Sequence, residues 1–224
     1  MLRNARVLLM AVLASGCANT LLKPEGVSQV SLTQSTGILI GSFARNPAAR
    51  AYYSQTFYFK NVQTNKIHEI KSQQTFNIFN GKTKDDFDTE TSAGGVFAFS
   101  LPAGKYVFHN FRLYQSSGMF SQDWTSKQDY AIPFEVRADA TNYVGEIKLD
   151  PMTGKTIFGL PAQAGGVWLI SDQEARDVEL LAKLRPEIPL KNVVSVVPTR
   201  KDVFTPWVLL PAEAAHVQPR PAQR

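Results

Sequence analysis

The stretch GVFAFSLPAGKYVFHNFRLY, residues Gly95 to Tyr114, carries the clearest fold signal in the chain. In its first half, large apolar side chains alternate with small or polar ones, which is typical of a half-buried strand. Pro102 to Gly104 has the composition of a turn, and a second apolar run follows it. The parity of the apolar positions changes near His109, which predicts a β-bulge. The stretch therefore predicts two antiparallel strands joined as a hairpin.

Short apolar or alternating runs continue on both sides of this stretch. Gln63 to Asn65 separates two of them and predicts another hairpin. Pro133 lies in an alternating run and places it at a sheet edge, because proline cannot donate to a ladder. Many short strands with frequent turns predict a mainly β fold, an antiparallel β-sandwich. Strands are predicted at 27–32, 37–43, 52–62, 66–71, 75–79, 95–101, 105–114, 130–137, 143–149, 155–160, 167–170 and 193–197, with a turn at 150–154.

One short helix is predicted near the C-terminus, at about 171–185. Ser171 and Glu174 have the spacing of a capping box, and Pro186 ends the helical pattern. The helix has a narrow apolar stripe that would pack against a sheet. The sandwich domain is predicted at 27–200, and a Pro-rich tail at 201–224 is predicted to be disordered from 211 onward. The stripe consists of Ala175, Val178, Leu181 and Leu184.

The composition argues against a nucleic-acid partner and against an intramolecular disulfide. The chain has 24 basic and 19 acidic residues, giving a net charge of +5, without a clustered basic face. We therefore expect no nucleic-acid partner. Cys17 is the only cysteine, so an intramolecular disulfide is excluded. The sandwich has to be stable on its hydrophobic core.

The N-terminus has the layout of a secretory signal. Arg3 and Arg6 precede an apolar run at 7–14, which is shorter than the roughly 20 residues that a membrane-spanning helix needs. Ala14-Ser15-Gly16 then leads into Cys17, and this segment resembles the lipobox of bacterial lipoproteins. The family prefers leucine at the position of Ala14. The alternative is an ordinary signal peptide next to a free cysteine.

The resemblance implies a signal peptide at 1–16, a lipid-modified Cys17 carrying diacylglycerol and palmitate-type acyl chains, and a tether at 17–26. Two or three acyl chains hold a protein stably on a membrane, whereas one chain does so only marginally. Ala18 follows Cys17 in place of the aspartate that retains enteric lipoproteins in the inner membrane. The expected address is therefore the outer membrane, facing the periplasm.

The body of the chain carries a second resemblance. The segment F-x-F-x-L-P-A-G-x-Y at 97–106 resembles a hairpin of prealbumin-like and carboxypeptidase-regulatory-like β-sandwiches. Together with A-T-N-Y-V-G-E-I at 140–147 and the predicted helix, it is similar to a group of uncharacterised bacterial lipoproteins. That resemblance implies the fold and no chemistry.

The sequence lacks the patterns of catalytic and metal sites. His68, His109 and His216 are scattered, without metal-ligand spacing, and no G-x-S-x-G elbow is present. The GKT triplets at 81–83 and 154–156 lack the earlier glycine of a phosphate loop and are predicted as hairpin turns. No catalytic residue, metal or cofactor is therefore predicted, and the chain is not expected to be an enzyme.

An acidic loop is predicted at 80–94. Asp86, Asp88 and Glu90 alternate there, and alternating carboxylates are able to chelate calcium. The other interpretation is a solvated loop neutralised by Lys82 and Lys84. The latter is favoured, because the glycine and final glutamate of a calcium loop are missing.

A second long loop, at 115–129, carries Met119, Phe120 and Trp124. These side chains either cover the open end of the sandwich or contact a partner. Since a hairpin brings its two ends together, both loops are predicted at the same end, which is the expected binding end. The sequence favours a non-enzymatic module that binds another envelope component or supports an assembly. The alternatives are a carbohydrate- or peptidoglycan-binding module and, third, a small periplasmic hydrolase.

Overall fold

The computed structural model describes residues 35–73, 85–116, 121–155, 159–202 and 205–210. Within these ranges the chain forms twelve strands and one helix. In chain order they are β1 (Thr36–Arg45), β2 (Ser54–Asn61), β3 (Ile67–Gln73), β4 (Phe87–Asp88), β5 (Ala93–Pro102), β6 (Gly104–Ser116), β7 (Ser121–Thr125), β8 (Ile132–Val136), β9 (Thr141–Lys155), β10 (Pro161–Ser171), α1 (Glu174–Leu184), β11 (Val193–Ser195) and β12 (Val208–Leu209). The strands predicted at 27–32 and 75–79 lie outside the described residues.

The strands form two sheets, and the predicted β-sandwich class is confirmed. The larger sheet has the order β12-β10-β9-β1-β5-β4, with β11 also on β9. The smaller sheet has the order β3-β2-β6-β7, with β8 also on β6. The smaller sheet is antiparallel throughout, whereas the larger one contains three parallel pairings that the sequence did not predict: β1 with β9, β11 with β9, and β12 with β10.

The predicted hairpin at 95–114 is wrong. β5 pairs with β1 and β4 in the larger sheet, whereas β6 pairs with β2, β7 and β8 in the smaller one. The chain therefore crosses from one sheet to the other at Ala103. Phe99 of the larger sheet and Tyr106 of the smaller sheet face a common core, where both rings contact that of Phe59. Alternation specifies the buried side of each strand but not its pairing partner, so both arrangements satisfy the same sequence pattern.

Three local predictions are confirmed. The register of β2 against β6 pairs Tyr58 with Asn110 and Phe59 with Phe108, which leaves His109 as the extra residue of a bulge. Pro133 lies in β8, whose pairing in the described part of the chain is with β6 alone, as expected of an edge strand. β2 and β3 form the hairpin that was predicted around 63–65.

The hairpin of β9 and β10 differs from the predicted one, in which the strand at 143–149 turns at 150–154 into a strand at 155–160. Residues 150–154, predicted as a turn, belong to β9, where Gly154 pairs with Ala162 and Lys155 with Pro161. The strand predicted at 167–170 is the end of the eleven-residue β10. Pro151 and Gly154 resemble turn residues in a sequence, but β10 supplies enough partners to keep this segment extended.

The main core lies between the two sheets and is rich in aromatic side chains. Trp168 of β10 is fully buried, with its ring stacked 5.3 Å from that of Phe43 and tilted 4.9 Å from that of Phe57. Burial of each such side chain contributes about 1.5–3 kcal/mol of hydrophobic free energy. This core provides the stability that the absence of a disulfide requires.

The helix covers the outer face of the larger sheet. Leu181 is buried there in a second cluster with Ile40 and Tyr143, whereas Leu184 of the predicted stripe is 45% exposed. The predicted capping box is wrong, because Ser171 belongs to β10 and α1 begins at Glu174. Asp172 accepts the Glu174 backbone N–H instead, at 3.0 Å. None of the helices in the described ranges is long and apolar enough to cross a membrane.

Part of the predicted tail belongs to the sandwich. Val208 is fully buried in β12, and the backbone N–H of Trp168 donates to the backbone carbonyl of Trp207 at 2.8 Å. The Trp207 ring contacts that of Phe111, with 6.0 Å between their centroids. The boundary predicted at 201 is therefore too early, because the buried Val208 and the partly buried Leu209 pair with the free edge of β10. Residues 211–224, predicted as disordered, lie outside the described residues.

Candidate functional site

The end of the sandwich that was predicted to bind is built from both sheets. β1 ends there at Arg45, opposite the first residue of β5, and β2 begins there at Ser54, opposite Tyr114 of β6. The prediction of a long loop at 115–129 is largely wrong, because residues 121–125 form β7 and pair with β6 in the smaller sheet. Residues 117–120 connect β6 and β7 in the sequence. They include Met119 and Phe120 and lie outside the described residues.

Trp124 of β7 packs inward at this end. Its ring makes an edge contact with Tyr52, at 5.2 Å between centroids. The Tyr52 hydroxyl donates to the Gly165 carbonyl at 2.8 Å and accepts the Gly165 N–H at 3.0 Å. Burial raises the pKa of Tyr52 to about 12. Trp124 therefore occupies the covering position, one of the two roles considered for it, and closes the core over Tyr52.

The acidic segment is tied to the larger sheet. Asp85 forms a 2.7 Å ion pair with Arg45, and burial raises the pKa of its carboxyl although Arg45 opposes this. Asp86 accepts the Val96 N–H at 3.0 Å, and a Cβ at Gly95 would lie only 2.9 Å from the same carboxylate oxygen. In the part of the chain that the structure describes, no group of three or more metal-ligating side chains is present.

The three predicted site residues that the structure describes, Asp86, Asp88 and Trp124, do not lie in one cluster. Asp86 precedes the edge strand β4 of the larger sheet, and Asp88 is an exposed residue of that strand. Trp124 lies in the other sheet. Lys82 and Lys84, expected to neutralise the acidic residues, lie outside the described ranges, and Arg45 carries out that function for Asp85.

A buried polar cluster beneath α1 was missed by the sequence analysis. Asp177 of α1 is fully buried and accepts hydrogen bonds from Ser42 at 2.7 Å and Tyr143 at 3.0 Å. Arg176 donates to the second carboxylate oxygen of Asp177, at 2.6 and 2.9 Å. Burial raises the pKa of Asp177, and its donors oppose this shift. Burial also raises the pKa of Tyr143 well above its usual range.

Arg176 extends this cluster toward the edge of the sheet. Its guanidinium contacts Glu146 at 2.9 Å and lies 3.8 Å above the centroid of the Phe87 ring. Ser92 donates to Glu146 at 2.7 Å, and Ser171 contacts the other oxygen at 3.4 Å. The charged groups thus bind one another and attach α1 to three strands of the sheet. This arrangement fixes the helix in position.

A sequence signal for this cluster existed. Asp177 lies four residues before Leu181, so both side chains share one face of α1. Ser42 interrupts the apolar run of β1 in the same way. A polar residue within an apolar face indicates a buried partner, because a buried polar group needs a hydrogen bond.

Comparisons with known proteins identify no family. No protein-family model and no curated protein matches the chain. Among solved structures, a leucine-rich repeat protein from Bacteroides thetaiotaomicron VPI-5482 has a TM-score of 0.29 and 15% identity, covering 52% of this chain and 14% of its own. A candidate cell-adhesion protein from Parabacteroides distasonis ATCC 8503 has a TM-score of 0.27 and 9% identity, covering 58% of this chain and 38% of its own. This chain thus spans less than two fifths of either of those proteins.

Proposed function

We propose that this protein is a lipid-anchored component of the outer membrane that faces the periplasm. In this proposal its β-sandwich binds another envelope component or supports an envelope assembly, without chemistry of its own. The observation that carries the proposal is the segment from Leu13 to Cys17, in which small residues lead from a short apolar run to the only cysteine. In this proposal residues 17–26 form the tether, and the first described strand begins at Thr36.

The acids of the polar cluster beneath α1 are arranged to hold the helix rather than to act as general bases. A general base needs a free lone pair aimed at its substrate, within about 2.6–3.2 Å of the proton that it removes. The Asp177 carboxylate instead accepts bonds from Ser42, Tyr143 and Arg176. Glu146 is held in the same way by Arg176 and Ser92. These acids are used to hold α1 on the sheet.

Metabolic labelling tests the anchor. Cells fed an alkyne analogue of palmitate are expected to label the wild-type chain, and the label should fractionate with outer membranes. The variant Cys17→Ser should lose both properties, since no thiol remains to carry the lipid. Asn19→Ala, which leaves the lipobox unchanged, is the matched control. An unlabelled wild-type chain recovered in the soluble periplasmic fraction would refute the proposal.

In-cell cross-linking tests the binding role. Photo-reactive residues placed at exposed positions of the wild-type chain should give a discrete adduct with an envelope component, identified by mass spectrometry. Turnover of an ester, amide or glycoside by the purified chain, abolished by substitution of Asp177 or Glu146 with retention of the fold, would instead favour the hydrolase alternative.

A further inference from the structure

The chain enters the sandwich beside a hairpin turn. The carbonyl of Ser35, the first described residue, accepts the Ala103 N–H at 2.8 Å. Two residues further along, the Lys105 carbonyl accepts the Val62 N–H at 2.9 Å. The turn between β2 and β3 therefore lies at the end of the sandwich where the described chain begins.

This turn exposes two aliphatic side chains. Val62 is 49% exposed and Ile67 is 59% exposed, and they lie on either side of the polar turn residues. Lys66 directly precedes Ile67, and Lys105 is an exposed residue of β6 next to Val62. We call these four residues the entry surface: Val62, Lys66, Ile67 and Lys105.

The turn is held in a defined shape by its own hydrogen bonds. The Asn61 side chain accepts the backbone N–H groups of Gln63 and Thr64, at 3.0 and 2.9 Å. Asn65 has φ 54°, a left-handed conformation that asparagine adopts more readily than most residues. The two aliphatic side chains are therefore displayed on an ordered turn.

The charges at this end have a small positive excess. The ion pair of Arg185 and Glu187 adds no net charge. An excess of two positive charges favours an anionic layer weakly, and it is far from the strongly basic face that a nucleic acid needs. The other charged residues that the structure describes at this end are five basic and three acidic: Lys60, Lys66, Lys105, Arg137 and Lys191 against Glu69, Glu135 and Asp139.

The size of the entry surface limits what it is able to bind. Two half-exposed aliphatic residues cover far less than the roughly 800 Å² that each partner buries in a standard protein interface. Such a small contact is too weak to hold a freely diffusing partner. It becomes effective toward a surface to which the chain is already attached, because a short flexible connection raises the local concentration to about the millimolar range.

In the proposed function the chain itself supplies such a connection. Seventeen residues separate Cys17 from Ser35. The two residues are therefore at most about 65 Å apart, so a lipid on Cys17 keeps the entry surface within reach of the membrane. Aliphatic side chains flanked by lysines suit that surface. The aliphatic groups enter the layer between headgroups and acyl chains, while the ammonium groups stay among the headgroups.

We propose that the entry surface docks on the lipid layer that carries the anchor. Its two aliphatic residues enter the interfacial layer, and its two lysines contact the phosphate groups of anionic lipids. This proposal rests on the proposed function, because the lipid on Cys17 supplies the connection. Docking also orients the sandwich: the opposite end, where Trp124 covers Tyr52, lies about 30 Å away along β1 and is directed away from the membrane.

Tryptophan quenching in vesicles tests the proposal. The chain from Cys17 onward, the form that the proposed function exports, is coupled through this single cysteine to a maleimide lipid. The vesicles consist of phosphatidylethanolamine with a minority of phosphatidylglycerol, and their acyl chains are brominated near the headgroups. Fluorescence of the coupled wild-type chain is subtracted.

Two matched probes report on the two ends of the sandwich. Val62→Trp should lose about half or more of its added fluorescence, because a contact of about millimolar affinity is occupied about half of the time at that local concentration. Met152→Trp, at a position 42% exposed beyond the opposite end of β1, is the control and should keep its fluorescence. Ile67→Asp added to Val62→Trp should restore the fluorescence, because a carboxylate opposes entry into the layer.

Several results would overturn the proposal. They are equal quenching of the two probes, no quenching of Val62→Trp, and quenching that Ile67→Asp does not change. If the Ile67→Asp variant fails to fold, Lys105→Glu provides the same comparison by reversing an exposed charge. A photo-cross-link from position 62 to a protein in cells, without quenching in vesicles, would also overturn it in favour of a protein partner.

Chemical coupling replaces the cellular lipid in this experiment, so the two proposals fail separately. Lost palmitate labelling with retained quenching would refute the anchor and leave a lipid-binding surface. Palmitate-labelled protein without quenching of Val62→Trp would refute docking and leave the envelope proposal.

Discussion

Ser42 donates a 2.7 Å hydrogen bond to Asp177, although 135 positions separate the two residues in the chain. The bond joins β1, at the centre of the larger sheet, to the helix that covers it. Asp177 and Arg176 are adjacent residues, yet one is fully buried and the other 24% exposed on its side chain. Arg176 and Asp177 together therefore connect the centre of the larger sheet with its edge. They hold α1, the only helix of the described ranges, on the sheet.

Removal of the Asp177 carboxylate should destabilise the fold strongly. Asp177→Ala leaves Ser42, Tyr143 and Arg176 without their acceptor, and loss of one member of a buried pair costs about 3–5 kcal/mol of unfolding free energy. Urea denaturation measures this loss. Glu179→Ala removes an exposed ion pair with Lys183 on the same helix and should leave the midpoint unchanged. Equal midpoints for the two variants would contradict the prediction.

Gly94 and Gly159 should differ sharply in their tolerance of alanine. A Cβ at Gly94 would lie 2.2 Å from the Phe43 carbonyl oxygen and 2.7 Å from Ala44 Cα, so β1 and β5 would have to separate. Gly94→Ala should cost more than about 3 kcal/mol, since backbone cannot yield as a side chain does. Gly159 has φ +75° and nothing near its Cβ position, so alanine there costs only about 1–2 kcal/mol of left-handed strain. Thermal unfolding of both variants distinguishes these cases.

Protonation of His109 should weaken the fold in mild acid. Burial lowers the pKa of this histidine, Lys60 adds to that shift, and Asp129 opposes it. In the described structure neither ring nitrogen has a well-formed hydrogen bond, although Nδ1 lies 3.5 Å from a carboxylate oxygen of Asp129. Below about pH 6.5 the unfolded chain therefore takes up the proton before the folded one, so stability falls as pH falls.

His109→Gln isolates this contribution. The loss of stability between about pH 7.5 and pH 5.5 should be smaller in the variant than in the wild type, measured from urea midpoints. His68, whose pKa is also lowered by burial, titrates in both proteins and does not affect the comparison. Parallel pH profiles would show that His109 titrates normally in the folded state.

Val208 should contribute to stability although it lies in the segment predicted as a tail. Val208→Ala removes two fully buried methyl groups and should cost about 2 kcal/mol of unfolding free energy. Val62→Ala makes the same chemical change at a position that is 49% exposed and should cost less than about 0.5 kcal/mol. Equal costs would mean that β12 does not hold the larger sheet.

The sequence predicts features whose cause is local. The bulge at His109 follows from the changed parity of apolar residues in β6, and the edge position of β8 follows from Pro133. The turn at 63–65 predicts the pairing of β2 with β3, because a short connection limits the partners available. These features depend on residues a few positions apart.

Features with a distant cause could not be predicted. The sheet to which β5 belongs depends on β1, and the burial of Asp177 depends on Ser42 and Tyr143. The ring contact between Tyr53 and Tyr114 depends on the register of β2 against β6, so the two residues look unrelated in the sequence. Of the predicted site residues, Trp124 lies at the end of the sandwich where the sequence placed it, and Asp86 accepts the Val96 N–H of β5.

The parallel pairing of β1 with β9 has a consequence for how the chain folds. Leu39 lies opposite Asn142, so the central strand of the larger sheet acquires its second neighbour only after about a hundred intervening residues have been made. β12 joins β10 still later, at Val208. A polypeptide that emerges N-terminus first therefore stays without its complete sheet until nearly all of it is available. Such non-local closure makes folding slow, because the entropy of closing long loops is lost before the distant contacts stabilise the sheet.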